Sequence, residues 1–248
     1  MKNVSKSEWF ANWFDSPYYH ILYKFRDHEE ARFFLDNLVG NLKLSSGSRV
    51  LDLACGKGRH SIYLSKKGLD VTGVDLSPQS IETANQSAHE HLRFQVHDMR
   101  EPYAHEAFDV VLNLFTSFGY FDDADDDQRV IQAISDALKP GGRVVIDFLN
   151  AKQLIDTLVP SETKSVNGID FKLQRRFEDG FIVKEIAFQD DNQDYRFEEK
   201  VKAFTLADFE RMFLATGLQI LHTFGGYSLS PFSVETSDRL IVVAQKPG

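Results

Sequence analysis

The chain has 248 residues, 42% hydrophobic and 26% charged, with 21 Phe; this is the make-up of a folded globular protein and excludes a disordered chain. Lys plus Arg number 28 against 37 Asp plus Glu, and the resulting formal charge of −9 repels polyanions and argues against a nucleic-acid partner. The one cysteine, Cys55, excludes an internal disulfide, no stretch nears the roughly 18 apolar residues of a spanning helix, and no apolar leader follows Met1, so a cytoplasmic, non-membrane protein is expected.

Residues 6–43 read as helical. Asp27 is placed to cap a helix with Glu30 three positions on, and Ala31, Phe34, Leu35 and Leu38 follow helical spacing up to a stop near Gly40. From Arg49 the pattern changes. Val50-Leu51-Asp52-Leu53-Ala54 is a short apolar strand that runs into the turn Cys55-Gly56-Lys57-Gly58, and a helix follows as far as Gly68. Asp70–Asp75 is a second strand, Ser77 and Pro78 open the next helix, and Leu92–Val96 is a third strand. Phe108–Phe115, strongly apolar, reads as a strand buried on both faces. A helix over Asp125–Leu138 stops at Pro140-Gly141-Gly142, and Val144–Phe148 is a fifth strand.

Strands alternating with helices over short connections predict an α/β fold, a doubly wound (Rossmann-like) and mostly parallel seven-stranded sheet. After Asn150 the alternation breaks. A short helix near Leu154 precedes strands around Ile169–Leu173, Phe181–Phe188 and Tyr195–Phe204, joined at Asp179-Gly180 and Asp190-Asp191-Asn192. Thr205 caps a last helix, and Gln219–Phe224 and Leu240–Ala244 close the sheet. The expected organisation is an N-terminal helical cap over residues 1–45, a core over 46–150 and 205–248, and an inserted antiparallel β meander over 151–204.

Gly56 and Gly58 stand where the first strand turns into the first helix, which lets a ligand approach the backbone. Asp75 ends the second strand, where an acid in a doubly wound fold reaches a ribose diol. A dinucleotide loop would carry a small residue at position 61, which is Ser here. Asp52, just ahead of the glycines, argues against a pyrophosphate: two like charges about 4 Å apart repel by roughly 4 kcal/mol at an effective dielectric near 20. A cationic nucleoside suits this loop better, unless Asp52 only bonds the loop itself.

These segments resemble the ordered motifs of class I S-adenosylmethionine (SAM)-dependent methyltransferases. Val50–Gly58 is similar to the first motif, Val74-Asp75-Leu76-Ser77 to the second and His97-Asp98-Met99 to the third. Phe108-Asp109 through Asn113-Leu114-Phe115 is similar to the fourth and Leu138-Lys139-Pro140-Gly141-Gly142 to the fifth. The resemblance implies SAM as cofactor, with Asp52, Ala54, Cys55, Gly56 and Gly58 around its methionine and ribose. It implies Asp75 on the ribose hydroxyls, Leu76 and Met99 against the adenine, Asp98 on the adenine amino group, and Asn113, Leu114 and Phe115 beneath the methionine. The flanks, Tyr18–Asp27 and Phe115–Tyr120, resemble small-molecule N-methyltransferases of the glycine and sugar-amine type. That likeness adds Tyr23 and Arg26 to the cofactor side, Arg26 holding the methionine carboxylate or else pairing with Asp27 or Glu30 at the surface, and Tyr19 and Tyr120 to the acceptor side.

Other candidates stand on the residues alone. Tyr227 and Phe232 fall in a Gly/Ser/Pro loop and either border the acceptor or pack the loop. His20, His60 and His222 are candidate bases, with His20 best placed because it adjoins Tyr19; Tyr19 and His20 are the expected catalytic pair for a hydroxyl acceptor. Asp122, Asp123 and Asp125–Asp127 read as a helix N-terminus rather than a metal site, and no metal is expected. The expected activity is methyl transfer from SAM to a small polar acceptor, an amine or a hydroxyl, by in-line displacement. A SAM-binding sensor without turnover and a nicotinamide oxidoreductase are the alternatives, and a homodimer stays open.

Overall fold

A computed structural model describes residues 9–24 and 28–248. The expected cap at Asp27 lies outside the described residues. The described N-terminus contains α1 (Trp9–Phe14), α2 (Pro17–Leu22) and α3 (His28–Asn41). The alternating region follows as β1 (Arg49–Leu53), α4 (Arg59–Lys66), β2 (Asp70–Asp75), α5 (Pro78–Asn85), β3 (Leu92–Val96), β4 (Phe108–Asn113), α6 (Ala124–Ala137) and β5 (Leu138–Leu149). Then come α7 (Ala151–Asp156), β6 (Ser161–Val166), β7 (Ile169–Glu178), β8 (Phe181–Asp190), β9 (Gln193–Lys202), α8 (Leu206–Ala215), β10 (Gln219–Phe224) and β11 (Arg239–Gln245).

The main sheet has seven strands in the order β10-β11-β5-β4-β1-β2-β3. The pairs β1–β2, β1–β4, β2–β3 and β4–β5 are parallel, and β11 alone runs against its neighbours. Strand residues alternate between two cores, as a doubly covered sheet requires. Val111, Val144, Ile146 and Val242 pack with α6 and α8 through Ile131, Ile134, Phe209 and Phe213. Val50, Val110, Leu112, Val145 and Ile241 pack on the other face with Phe34, Leu35 and Leu38 of α3, Leu64 of α4 and Ile81 of α5. The chain steps outward from β1 to β3, then returns to place β4 on the other side of β1. The carboxyl ends of β1 and β4 therefore diverge, and that is where this topology opens a crevice.

The second sheet, β6-β7-β8-β9, is antiparallel throughout. The expected hairpin turns occur at Asp179-Gly180 and Asp191-Asn192, each with positive φ at both residues. It has one strand more than the three read from sequence. β6, SETKSV, is a mostly exposed edge strand and carries no apolar alternation to announce it.

The N-terminal helices divide between the two sheets. α3 belongs to the main core, whereas Trp13 of α1 and Leu22 of α2 pack on the second sheet with Val166, Phe171, Leu173, Ile186 and Phe188. Trp13 is fully buried there. The acidic run before α6 is taken up locally: Asp123 caps the helix, Asp126 pairs with Arg100 and Arg129, and buried Asp127 pairs with Lys202 of β9 at 2.5 Å.

Candidate active site

The crevice at the β1/β4 switch point is a cavity with four walls. The β1–α4 turn supplies Ala54, Gly56 and Lys57. The end of β2 and the start of α5 supply Asp75, Leu76, Ser77 and Ser80, and the residues after β3 supply His97, Asp98 and Met99. Phe115, Ser117, Tyr120 and Phe121 come from the β4–α6 connection. Phe14, Asp15, Tyr19 and His20 of the α1–α2 hairpin and Glu199 of β9 close the far side.

Asp75 is set by backbone donors. The Gly56 amide donates to Oδ2 at 2.8 Å and the Ser77 amide to Oδ1 at 2.9 Å. Burial raises its pKa above the usual carboxylate value, the two amides oppose that rise, and the nearby Asp15 adds to it. A carboxylate so fixed offers its remaining lone pairs to a diol. Asp98 is gripped by Arg100, whose Nη2 lies 2.6 Å from Oδ2; burial alone would raise its pKa, but the Arg100 bonds outweigh burial and hold it low.

The glycines divide their work. A β-carbon on Gly56 would meet nothing within 4 Å, so the space above it is open to a ligand. On Gly58 it would lie 2.6 Å from Phe94 Cζ, and φ there is +80°; Gly58 serves helix–strand packing beneath the cavity rather than its lining. Cys55 is buried beside it, and burial pushes its thiol pKa far up, which fits a packing role and no nucleophile.

Asp52 requires a correction. It is 1% exposed, lies below the floor, and is not a lining residue. Ser61 Oγ donates to its Oδ2 at 2.5 Å. Desolvation raises its pKa to about 7, with Asp75 adding to the rise and Ser61 opposing it. The negative lining comes instead from Asp15, Asp75, Asp98 and Glu199, of which sequence reasoning named two. Asn113 and Leu114 are likewise buried under the floor, and Asn113 Oδ1 is an acceptor without a partner among the described residues.

Tyr19, His20 and Tyr120 line the cavity. Tyr19 packs edge-on to Phe14 at 5.0 Å, and Phe14 to Tyr120 at 5.4 Å. Burial, with the positive charge of Lys57, lowers the His20 pKa, so its imidazole is a neutral acceptor at pH 7. Tyr23 stands one layer behind, donating to Glu199 Oε1 at 2.6 Å. Tyr227 is not in the lining. It packs on Phe34 and Phe115, and its hydroxyl lies 3.4 Å from Asp147 Oδ2, so the loop-packing alternative holds for it. His60 stacks on Phe115 at 4.7 Å, outside the lining, and His222 stacks on Phe224 in β10. Arg26 lies outside the described residues.

The residue missed with most consequence is Glu199. It accepts from Trp13 Nε1 at 2.7 Å, from Tyr23 and from Lys184 Nζ at 3.0 Å. Burial alone would raise its pKa, but Lys184 and the hydroxyl and indole donors hold it below the usual range. Its signal was present: Tyr195, Phe197, Glu199 and Val201 alternate inward along β9, and one of the four is an acid. Asp15, which accepts from Ser77 Oγ, had no such signal, because it lies in the turn between two short helices.

A nucleoside with a charged tail fits this donor set. Leu76 holds 42% of its surface exposed beside Asp75, an apolar plane next to a diol acceptor, with open space over Gly56. Among the described residues, no group of three His, Cys, Asp or Glu could hold a metal ion, and no helix is long and apolar enough to cross a membrane.

Residues 50–142 match the model of a methyltransferase domain. The chain is 29% identical over 213 residues to the putative methyltransferase YqeM of Bacillus subtilis, covering 82% of this chain and 86% of that one. It is 30% identical over 136 residues to glycine N-methyltransferase of Rattus norvegicus, covering 48% of this chain and 46% of that one. The chain spans about half the length of several curated relatives it matches. A S-adenosylmethionine-dependent methyltransferase from Clostridium acetobutylicum shares the fold, with a TM-score of 0.77 and 23% identity over 93% of this chain and 96% of that one. Residues 50–142 are thus similar to a methyltransferase domain, and the chain shares the fold of a S-adenosylmethionine-dependent methyltransferase.

Proposed function

We propose that the enzyme methylates a small polar acceptor, an amine or a hydroxyl, held between the cofactor floor and the wall formed by the α1–α2 hairpin and β9. One observation carries this reading: Phe14, Tyr19, His20 and Glu199, from outside the main sheet, line the same cavity as Asp75 and Gly56. A cavity closed on that side accepts a compact molecule and sheds water.

When bound, SAM supplies a methyl group on sulfonium, a donor already activated for displacement. Asp75 would hold the ribose hydroxyls, Leu76 and Met99 the faces of the adenine, and Asp98 its amino group. The aromatic wall of Phe14, Tyr19 and Tyr120 orients the acceptor and excludes water, where most of the rate gain lies. Neutral His20 takes the proton that a hydroxyl or an ammonium acceptor must lose. In this reading residues 46–150 and 205–248 form the cofactor-binding core, while the cap and the 151–204 insertion define the acceptor.

The test is release of S-adenosylhomocysteine from SAM with a panel of small amines and phenols. Turnover with at least one compact acceptor, lost in Asp75→Ala, supports the reading. Turnover only with a macromolecular acceptor overturns it.

A further inference from the structure

Behind the cavity wall lies an ion pair, its aspartate buried, that the proposed mechanism does not use. Asp147, at the end of β5, is 0% exposed and accepts from Arg239 Nε of β11 at 2.8 Å. Its Oδ2 also accepts from the Phe115 amide at 2.8 Å, and its backbone carbonyl from the Thr116 amide at 2.9 Å. Arg239 Nη2 donates to Thr116 Oγ1 at 2.9 Å, and the Tyr120 hydroxyl donates to the Thr116 carbonyl. The amide, hydroxyl and carbonyl of Thr116 are thus all tied down.

What they tie is strained. Phe115 and Thr116 are consecutive non-glycine residues with φ of +58° and +60°. L-residues resist the left-handed region because Cβ crowds the backbone, and a β-branched threonine resists it most. Such a turn persists only where the surroundings over-determine it. It carries Phe115 and Tyr120 into the cavity, whereas neither Asp147 nor Arg239 is among the lining residues.

We propose that the Asp147–Arg239 pair is a positioning device that clamps the Phe115-Thr116 turn in its left-handed form and so keeps Phe115 in the cofactor-facing wall and Tyr120 beside it on the acceptor side. The inference rests on the reading of this cavity as the SAM site. Both charges act through the turn and touch neither cofactor nor acceptor. Tyr227, which packs on Phe115 and approaches Asp147, belongs to the same support.

The experiment is calorimetric titration of the full chain with SAM, well below the melting temperature of every variant used. Asp147→Asn keeps the shape and removes the charge, and a loss of affinity of about tenfold is expected, the cost of one strained residue set free. Thr116→Gly, which tolerates the left-handed turn unaided, is expected to bind within about threefold of wild type. The double variant is expected to regain most of the affinity that Asp147→Asn loses. A merely structural role would lower the melting temperature without this rescue. Undiminished binding by folded Asp147→Asn, or no recovery in the double variant, overturns the clamp. Should Asp147→Asn not fold, Arg239→Gln with and without Thr116→Gly carries the same comparison. Failure of the wild type itself to bind SAM overturns the site assignment instead.

Discussion

Ser61 Oγ donates to Asp52 Oδ2 at 2.5 Å under the floor of the cofactor cleft, and this pair sets a pH dependence. Desolvation lifts the Asp52 pKa to about 7 in the folded protein, well above its unfolded value. A carboxyl raised on folding contributes stability in full below its unfolded pKa, and that contribution is lost as pH rises through the folded pKa. The window therefore runs from about pH 4 to pH 7. Asp52→Asn mimics the protonated form. It is expected to raise stability over wild type by on the order of a few kcal/mol at pH 8, and by progressively less as the pH falls through the window. Thermal melts of both proteins across pH 5–8 check this, and an unchanging gap would contradict it.

Gly56 and Gly58 predict opposite phenotypes from the same substitution. Gly58→Ala drives a β-carbon to 2.6 Å from Phe94 Cζ at a positive φ, and is expected to cost about 3 kcal/mol of stability. Gly56→Ala meets no internal neighbour and is expected to cost about 1 kcal/mol, but its methyl occupies the space over the floor. Denaturant unfolding should single out Gly58→Ala, and SAM titration should single out Gly56→Ala.

Ala54, in the cavity lining, has φ of +58°. Glycine adopts that conformation without the β-carbon penalty, so Ala54→Gly is expected to add about 1 kcal/mol of stability. For a chain of this size that is a rise in melting temperature of about 2–4 °C. Scanning calorimetry at fixed pH measures it.

Glu199 and Lys184 face each other across β8 and β9 at 3.0 Å, with Trp13 and Tyr23 on the same carboxylate. Glu199→Gln keeps the shape and removes the carboxylate charge that Lys184 meets. Acceptor kcat/KM is expected to fall about tenfold or more, while SAM affinity stays within about threefold, since the cofactor residues lie on the other wall. A parallel loss of SAM affinity would place Glu199 on the cofactor side.

The main sheet was legible because its strands are covered on both faces and read as strongly apolar runs, such as Phe108–Asn113, where only Asp109 and Asn113 are polar. Asp75 was legible because strand end and glycine turn together determine where it stands. Asp52 was not. Next to the glycine turn it reads as lining, and only the fold brings Ser61, a full helical turn into α4, against its carboxylate. Position 61 looked like a departure from a dinucleotide loop and is instead the partner of that acid. The docking of α1 and α2 was hidden for a different reason: it depends on Trp13 meeting a sheet more than a hundred residues away, and local periodicity carries no information on that pairing.

That docking has a consequence for diversification. In the proposed reading, the helices on the acceptor side are seated on the meander through Trp13 and Leu22. Changes within residues 9–22 and 161–202 can therefore reshape the range of molecules admitted, while the apparatus that grips the methyl donor is left as it stands.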